Sequence, residues 1–142
     1  MANVVKIAPR AIPALELAKG MMTQYNVCQE TVGSEFITMG VCNHSPDMAD
    51  LTWVARAEEA FYVAKGSIKV AWETEAGDKG EVVVREGEQV FLPRGFRYAL
   101  KATGEPAINV FTVGGAPSSV GSIFGPEAAA RLKAAGEEIR PR

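Results

Sequence analysis

The sequence predicts an all-β protein, one small β-barrel followed by a helical tail. From about Met22 to Val113 short apolar runs alternate with turn residues, and the runs recur at a spacing of about 8–12 residues. The segment Thr74–Gly80 is polar and contains glycine, which is typical of a hairpin loop. Pro126 and Glu127 follow a glycine- and serine-rich stretch and predict the start of a helix.

The strands are predicted from runs rich in β-branched and aromatic residues that end at turn residues. They are Thr23–Val27, Phe36–Val41, Leu51–Ala55, Ala60–Lys65, Ile68–Trp72, Glu81–Arg85, Gln89–Leu92, Tyr98–Leu100 and Ala107–Val113.

Three segments follow from this pattern. Residues 1–21 are an N-terminal arm with at most a helical turn around Ala14–Lys19, and residues 22–115 are the barrel. Residues 116–142 are a connector and a C-terminal helix, and this helix is expected to end near Ala135, before Gly136.

Composition narrows the class of function. The chain has 142 residues, the size of one domain, and its net charge of −2 provides no basic field for nucleic acid. No apolar run approaches the ~20 residues that a membrane span needs. The first 20 residues lack the apolar core of a signal peptide, and two cysteines are too few for a disulfide framework. We therefore expect a cytoplasmic protein that binds neither nucleic acid nor membrane.

Two spaced motifs carry the most information. Glu59 lies seven residues before Gly66, and Gly87-x5-Pro93-x-Gly95-x2-Tyr98 follows after 20 residues. This arrangement resembles the two cupin motifs, G-x5-H-x-H-x3,4-E-x6-G and G-x5-P-x-G-x2-H-x3-N. The resemblance implies a single cupin jelly-roll barrel of two antiparallel sheets. Cupins usually pair through N-terminal strands, so it also implies a homodimer.

The residues that would bind a metal are missing from this frame. The H-x-H pair falls on Trp53 and Ala55, the later histidine is Tyr98, and the final asparagine is Ala102. An indole has no lone pair for a metal, and Glu59 with Tyr98 provides at most two ligands, where three or four are usual. We therefore predict neither a metal nor another cofactor.

The candidate site consists of a carboxyl, a phenol and aromatic walls. In a strand, residues 59, 61 and 63 share one face, so Glu59 points into the barrel beside Phe61, unless it is solvated at the barrel end like Glu58. We assign Glu59 and Tyr98 as candidate catalytic residues that meet through a hydrogen bond. The predicted ligand-binding residues are Trp53, Glu59, Phe61, Phe91 and Tyr98. The alternative is that these aromatics simply fill the barrel.

Several other residues give little indication of function. His44 is the only histidine, in a turn-rich segment, and we interpret it as a surface residue that could otherwise serve as an acid or base. Cys42 is interpreted as a small buried apolar residue. Arg56, Arg94 and Arg97 are interpreted as solvated charges, although they could face an anionic ligand at the barrel end.

Within the cupins, residues 50–113 are most similar to the EutQ type of ethanolamine utilisation, which also has a tryptophan at the start of the H-x-H position and retains the glutamate. Three functions stay open: a metal-independent cupin that binds a small molecule, an enzyme that uses Glu59 and Tyr98 as acid–base groups, and a structural cupin with a filled barrel. The enzyme would be an isomerase, epimerase or lyase, or would perform EutQ-like acyl-phosphate chemistry.

Overall fold

The computed structural model describes residues 4–115 and 120–140. The first three residues of the predicted arm, residues 116–119 of the connector and the last two residues lie outside this range. The strands are β1 (Leu15–Ala18), β2 (Met21–Val27), β3 (Ile37–His44), β4 (Leu51–Val54), β5 (Glu59–Lys65), β6 (Ser67–Glu73), β7 (Lys79–Arg85), β8 (Gln89–Leu92), β9 (Arg97–Lys101) and β10 (Ala107–Gly114). The helices are α1 (Gln29–Val32), α2 (Gly121–Phe124) and α3 (Pro126–Ile139).

The strands form two antiparallel sheets, which confirms the predicted jelly-roll barrel. The first sheet has the order β1-β2-β3-β10-β5-β8, and the second has the order β4-β9-β6-β7. The inward residues of both sheets form one core, which includes Phe61, Val63, Val70 and Leu100. All nine predicted strands are present, with boundaries that shift by at most three residues.

The N-terminal arm differs from the prediction, because it contributes a strand. Residues around Ala14–Lys19 do not form a helical turn; β1 pairs with β2 through Leu15 and Thr23. Leu15 is 7% exposed and belongs to an apolar cluster that also contains Tyr25 and Leu132. Burial of Leu15 and pairing with the sheet edge outweigh the weak helical preference of a four-residue segment. β1 therefore packs on the barrel of its own chain.

Two turns of the motif frame are formed by glycines with positive φ. Gly66 has φ 73° between β5 and β6, and a Cβ there would collide with the carbonyl oxygen of Pro106. Gly95 has φ 93°, and its amide donates to the carbonyl of Ala55 at 2.8 Å. This bond joins the turn after β8 to the loop that precedes Glu59, so the two sequence motifs meet in space.

The C-terminal helix is longer than predicted, because Gly136 does not end it. α3 continues to Ile139, and Gly136 is buried where a Cβ would collide with the backbone of Thr31. Arg140 Nε then donates to the carbonyl of Thr31 at 2.8 Å. Glycine is therefore needed here for close packing between α3 and α1. Leu132 of α3 is fully buried in a second apolar cluster with Ile12 and Val120.

Among the described residues, none of the helices has the length and apolar character that a membrane span requires.

Candidate functional site

A cavity of about 780 Å³ lies between the two sheets. Its volume falls within the usual range of small-molecule sites, ~300–1,000 Å³. Most of its wall is apolar or aromatic. Its lining includes Tyr25, Cys42, Trp53, Arg56, Glu59, Phe61, Leu92, Asn109, Phe111, Val120 and Ile123.

Glu59 is the acidic residue of this lining. It is the first residue of β5, and the alternation that buries Phe61 and Val63 turns Glu59 to the same inner face. Its Oε2 accepts a hydrogen bond from Trp53 Nε1 at 3.0 Å. The two sheets therefore contribute one partner each, since Trp53 lies on β4 and Glu59 on β5.

The pKa of the Glu59 carboxyl is raised from its ordinary value. Burial is the larger cause, because a carboxylate loses hydration inside the barrel, and the hydrogen bond from Trp53 opposes it by stabilising the charged form. The carboxyl therefore binds its proton more tightly than a solvated glutamate does.

Tyr98 is buried but does not meet Glu59 as predicted. Its hydroxyl donates to the carbonyl of Pro93 at 2.7 Å, and the Glu59 carboxylate has Trp53 as its partner instead. The pKa of Tyr98 is raised to about 12, mainly by burial and to a smaller extent by the negative charge of Glu59. Trp53 and Tyr98 are cross-strand partners with ring centroids 5.4 Å apart. Tyr98 thus supports the Trp53 ring and is absent from the cavity wall.

Of the other predicted ligand-binding residues, two line the cavity and one does not. Trp53 and Phe61 line the cavity, whereas Phe91 does not and is 59% exposed. The alternation of β8 turns Leu92 inward, 3% exposed, and therefore turns Phe91 outward. Of the three arginines, Arg56 lines the cavity, and Arg94 and Arg97 do not.

The cavity reaches the surface at two of its lining residues. Arg56, in the loop before β5, and Ile123 of α2 are both exposed. The start of α2 is held by Glu30 of α1, whose carboxylate accepts from the amides of Val120 at 3.1 Å and Gly121 at 2.8 Å. The helical tail therefore forms part of the cavity entrance.

His44 is not on the surface, as the sequence suggested. β3 continues three residues beyond its predicted end, and His44 is 5% exposed at its last position. Its Nε2 lies 2.6 Å from Asn109 Oδ1 and its Nδ1 lies 2.9 Å from Met48 Sδ. Burial lowers the pKa of His44, although the bond to Asn109 opposes this shift. His44 is therefore neutral and structural, and its role is to hold Asn109.

Asn109 and Tyr25 are cavity residues that the sequence prediction missed. Both are buried on inner strand faces, where Asn109 is 2% exposed and Tyr25 is 5% exposed. The alternation of β10 would have placed Asn109 inward beside Phe111, since the two are separated by one residue. Cys42 is buried as predicted, and its Sγ lies 3.2 Å from Thr23 Oγ1.

The donor set does not fit a metal. Ala55 is 2% exposed and lacks a donor atom, Trp53 uses its N–H on Glu59, and Tyr98 uses its hydroxyl on Pro93. Within residues 4–115 and 120–140 no group of three or more His, Cys, Asp or Glu side chains is arranged to hold a metal ion. A transition-metal site needs three or four protein ligands, which this arrangement does not supply.

Comparison with known proteins identifies the family. Residues 36–138 match the cupin family, and this chain therefore belongs to the cupins. Its fold is similar to a mutant of Bacillus subtilis oxalate decarboxylase, with a TM-score of 0.73 and 19% identity over 86% of this chain and 32% of that chain. A second oxalate decarboxylase structure has a TM-score of 0.69 and 22% identity, over 81% of this chain and 30% of that one.

A further Bacillus subtilis oxalate decarboxylase structure, described for its Mn(II) centres, has a TM-score of 0.70 and 20% identity over 81% of this chain and 30% of that chain. The present chain spans about a third of the length of these enzymes. At such low identity the likeness concerns the fold alone. No curated protein sequence matches the chain.

The hydrogen bonds predict that substitution of Trp53 changes the pKa of Glu59, whereas substitution of Tyr98, the cross-strand partner of Trp53, does not. Trp53→Phe removes the donor to Glu59 and should raise the Glu59 pKa further, because the charged form loses its hydrogen bond. Tyr98→Phe should leave that pKa near its wild-type value and cost about 0.5–1.5 kcal/mol of stability, through loss of the bond to Pro93.

Carboxyl titration by NMR measures the first effect, and urea unfolding measures the second. If the Glu59 pKa changes in Tyr98→Phe and stays at its wild-type value in Trp53→Phe, the observed hydrogen-bond partners are wrong and Glu59 pairs with Tyr98 as the sequence predicted.

Proposed function

We propose that this cupin binds a small organic molecule in its barrel cavity without a metal, and that Glu59 is the polar anchor. The observation that carries the proposal is the Glu59 carboxylate, held by Trp53 at 3.0 Å in the wall of a cavity of about 780 Å³. A carboxylate in an apolar wall favours a hydrogen-bond donor, either an ammonium or a hydroxyl group, because this compensates for its lost hydration.

The resemblance to EutQ-type domains supports a metabolic role of this kind. Trp53, which this chain shares with EutQ-type domains, donates its hydrogen bond to Glu59, the glutamate that those domains retain. A structural cupin with a filled barrel has less support, because the interior leaves space of ligand size.

The raised pKa of Glu59 favours a second candidate, an enzyme in which this carboxyl alone moves a proton. Tyr98 is not part of this candidate, because its hydroxyl is bound to Pro93 outside the cavity wall. If Glu59 is an acid–base group, the Glu59→Gln variant should still bind the substrate but should no longer convert it to product.

The test of binding uses octylamine and a panel of amino alcohols and polyols as probes. The indole N–H signal of Trp53 in a ¹⁵N NMR spectrum reports on Glu59, and Trp72, which lies outside this cavity, is the internal control. Octylamine should shift the Trp53 signal. Glu59→Gln should weaken its binding about tenfold to a hundredfold, through loss of a charge-assisted bond.

The matched control is Glu58→Gln, the same change at the neighbouring exposed residue, which should bind like the wild type. The proposal fails if none of these compounds shifts the Trp53 signal, or if Glu58→Gln and Glu59→Gln weaken binding equally.

We also propose that the protein is a homodimer. The outer face of β3, β10, β5 and β8 is mostly apolar, and the one charged residue among its described positions is Lys65 at the end of β5, the cross-strand partner of Ile108. Its apolar residues include Ile37, Met39, Val41, Tyr62, Phe91, Ile108 and Val110. Tyr62 is 41% exposed and Phe91 is 59% exposed. A second copy suits this face, because an apolar patch with its charge confined to one strand end can pack on itself across a two-fold axis.

Charge on the outer face should separate the dimer. Wild-type protein should scatter light as about twice its 15.2 kDa chain mass at micromolar concentration, and Met39→Glu should scatter as a monomer. Val82→Glu is the control on the other sheet, because Val82 and Met39 are both 39% exposed, and it should stay dimeric. A monomeric wild type, or a dimeric Met39→Glu, would refute this interface.

A further inference from the structure

The cavity has a second polar group at the end opposite Glu59. Glu59 is the cross-strand partner of Val113 on β10, and Asn109 lies four residues before Val113 on the same strand. Four residues of strand span about 14 Å. Between these two levels lie the cross-strand partners Phe61 and Phe111, both of which line the cavity. Glu59 and Asn109 therefore lie at two separated levels of the cavity, and the rings of Phe61 and Phe111 lie between them.

Asn109 is held in a fixed orientation by His44. Its Oδ1 lies 2.6 Å from His44 Nε2, which carries the proton of this bond, because an amide oxygen can only accept. The other ring nitrogen of His44 contacts the Met48 side chain, which packs against the buried ring. With the oxygen occupied, the amide NH₂ group is what Asn109 offers to the cavity that it lines.

The two ends therefore have opposite hydrogen-bonding character. Glu59 accepts, and Asn109 donates through its amide nitrogen. Among the described lining residues Arg56 is the one cation, and it lies in the loop next to Glu59, away from Asn109. A carboxylate placed at Asn109 would lose its hydration with no cation to compensate, which is costly. An uncharged acceptor such as a carbonyl suits this end better.

We propose that the cavity takes an elongated molecule with an apolar body, a donor group at the Glu59 end and an uncharged carbonyl-type acceptor at the Asn109 end. This inference rests on the proposed binding function and adds to it the class of ligand.

Three probes that share an eight-carbon chain test the inference on the wild-type protein. Methyl 8-aminooctanoate has both the ammonium and the ester carbonyl, octylamine has only the ammonium, and methyl octanoate has only the carbonyl. Calorimetric titration should show that the bifunctional ester binds about tenfold tighter than octylamine, through one additional hydrogen bond. The side-chain amide signal of Asn109 should shift with the ester and stay in place with octylamine.

Asn109→Asp is the matched variant, since it keeps the size of the side chain and an acceptor for His44 but removes the amide donor. In this variant the advantage of the ester over octylamine should disappear. The comparison within one variant cancels the effect of the added charge on the ammonium that both probes share.

The outcomes separate this inference from the proposed function. The inference is overturned if octylamine and the ester bind with equal affinity, or if the ester does not shift the Asn109 signal. Binding at Glu59 would still stand in both cases. An advantage of the ester that persists in Asn109→Asp also overturns the inference. Absence of binding by all three probes overturns the inference as well, and the proposed function then depends on its own panel of amino alcohols and polyols.

Discussion

The hydrogen bond from Trp53 Nε1 to Glu59 Oε2 is the interaction on which the interior of this barrel depends. A carboxyl that faces an apolar core must be hydrogen-bonded, paired or protonated, because a bare buried charge is expensive. Trp53 supplies the donor from the opposite sheet, and Tyr98 packs on the Trp53 ring while its hydroxyl is bound to Pro93. Each aromatic residue thus has its polar atom satisfied, and together they hold the carboxyl in the cavity wall.

At two of the three histidine positions of the cupin frame this chain has aromatic residues, Trp53 and Tyr98, and at the third it has Ala55. The indole donates one hydrogen bond to Glu59, whereas an imidazole in its place could have bound a metal. The carboxyl keeps a raised pKa, since burial outweighs the single hydrogen bond. The site is consequently suited to hydrogen bonding and proton transfer by protein groups alone.

The buried polar residues at the opposite end complete the cavity. His44 is neutral because burial lowers its pKa, and it holds the amide oxygen of Asn109. Thr23 and Cys42 satisfy each other beside it. Within the described residues, no buried polar side-chain atom lacks a partner. Polar groups that are fixed in this way give a binding site its directional preference without reorganisation on binding.

Local pattern was sufficient to predict the barrel and one side of the site. The two-residue alternation of β5 placed Glu59 beside Phe61 on the inner face, and the polar segment Thr74–Gly80 was correctly predicted to contain the hairpin loop between β6 and β7. These predictions depend on properties of one strand or one turn. Phe91 was assigned to the cavity although the same alternation in β8 turns it outward.

The errors concern contacts between segments that are distant in the chain. Tyr98 bonds Pro93 and not Glu59, and His44 is buried only because β3 extends to pair with β10. Gly136 looked like a helix end but is a packing contact with Thr31. β1 was missed because its strand conformation depends on β2. A one-dimensional pattern contains no information on which polar groups face each other across the barrel.

The metal content of untagged protein tests the central claim most directly. The account predicts that elemental analysis finds iron, manganese, nickel and zinc far below one equivalent per chain, because the cavity lacks the three or four ligands such ions need. Near-stoichiometric metal that is lost in Glu59→Gln and retained in Glu58→Gln would show that Glu59 is a metal ligand and would contradict the account.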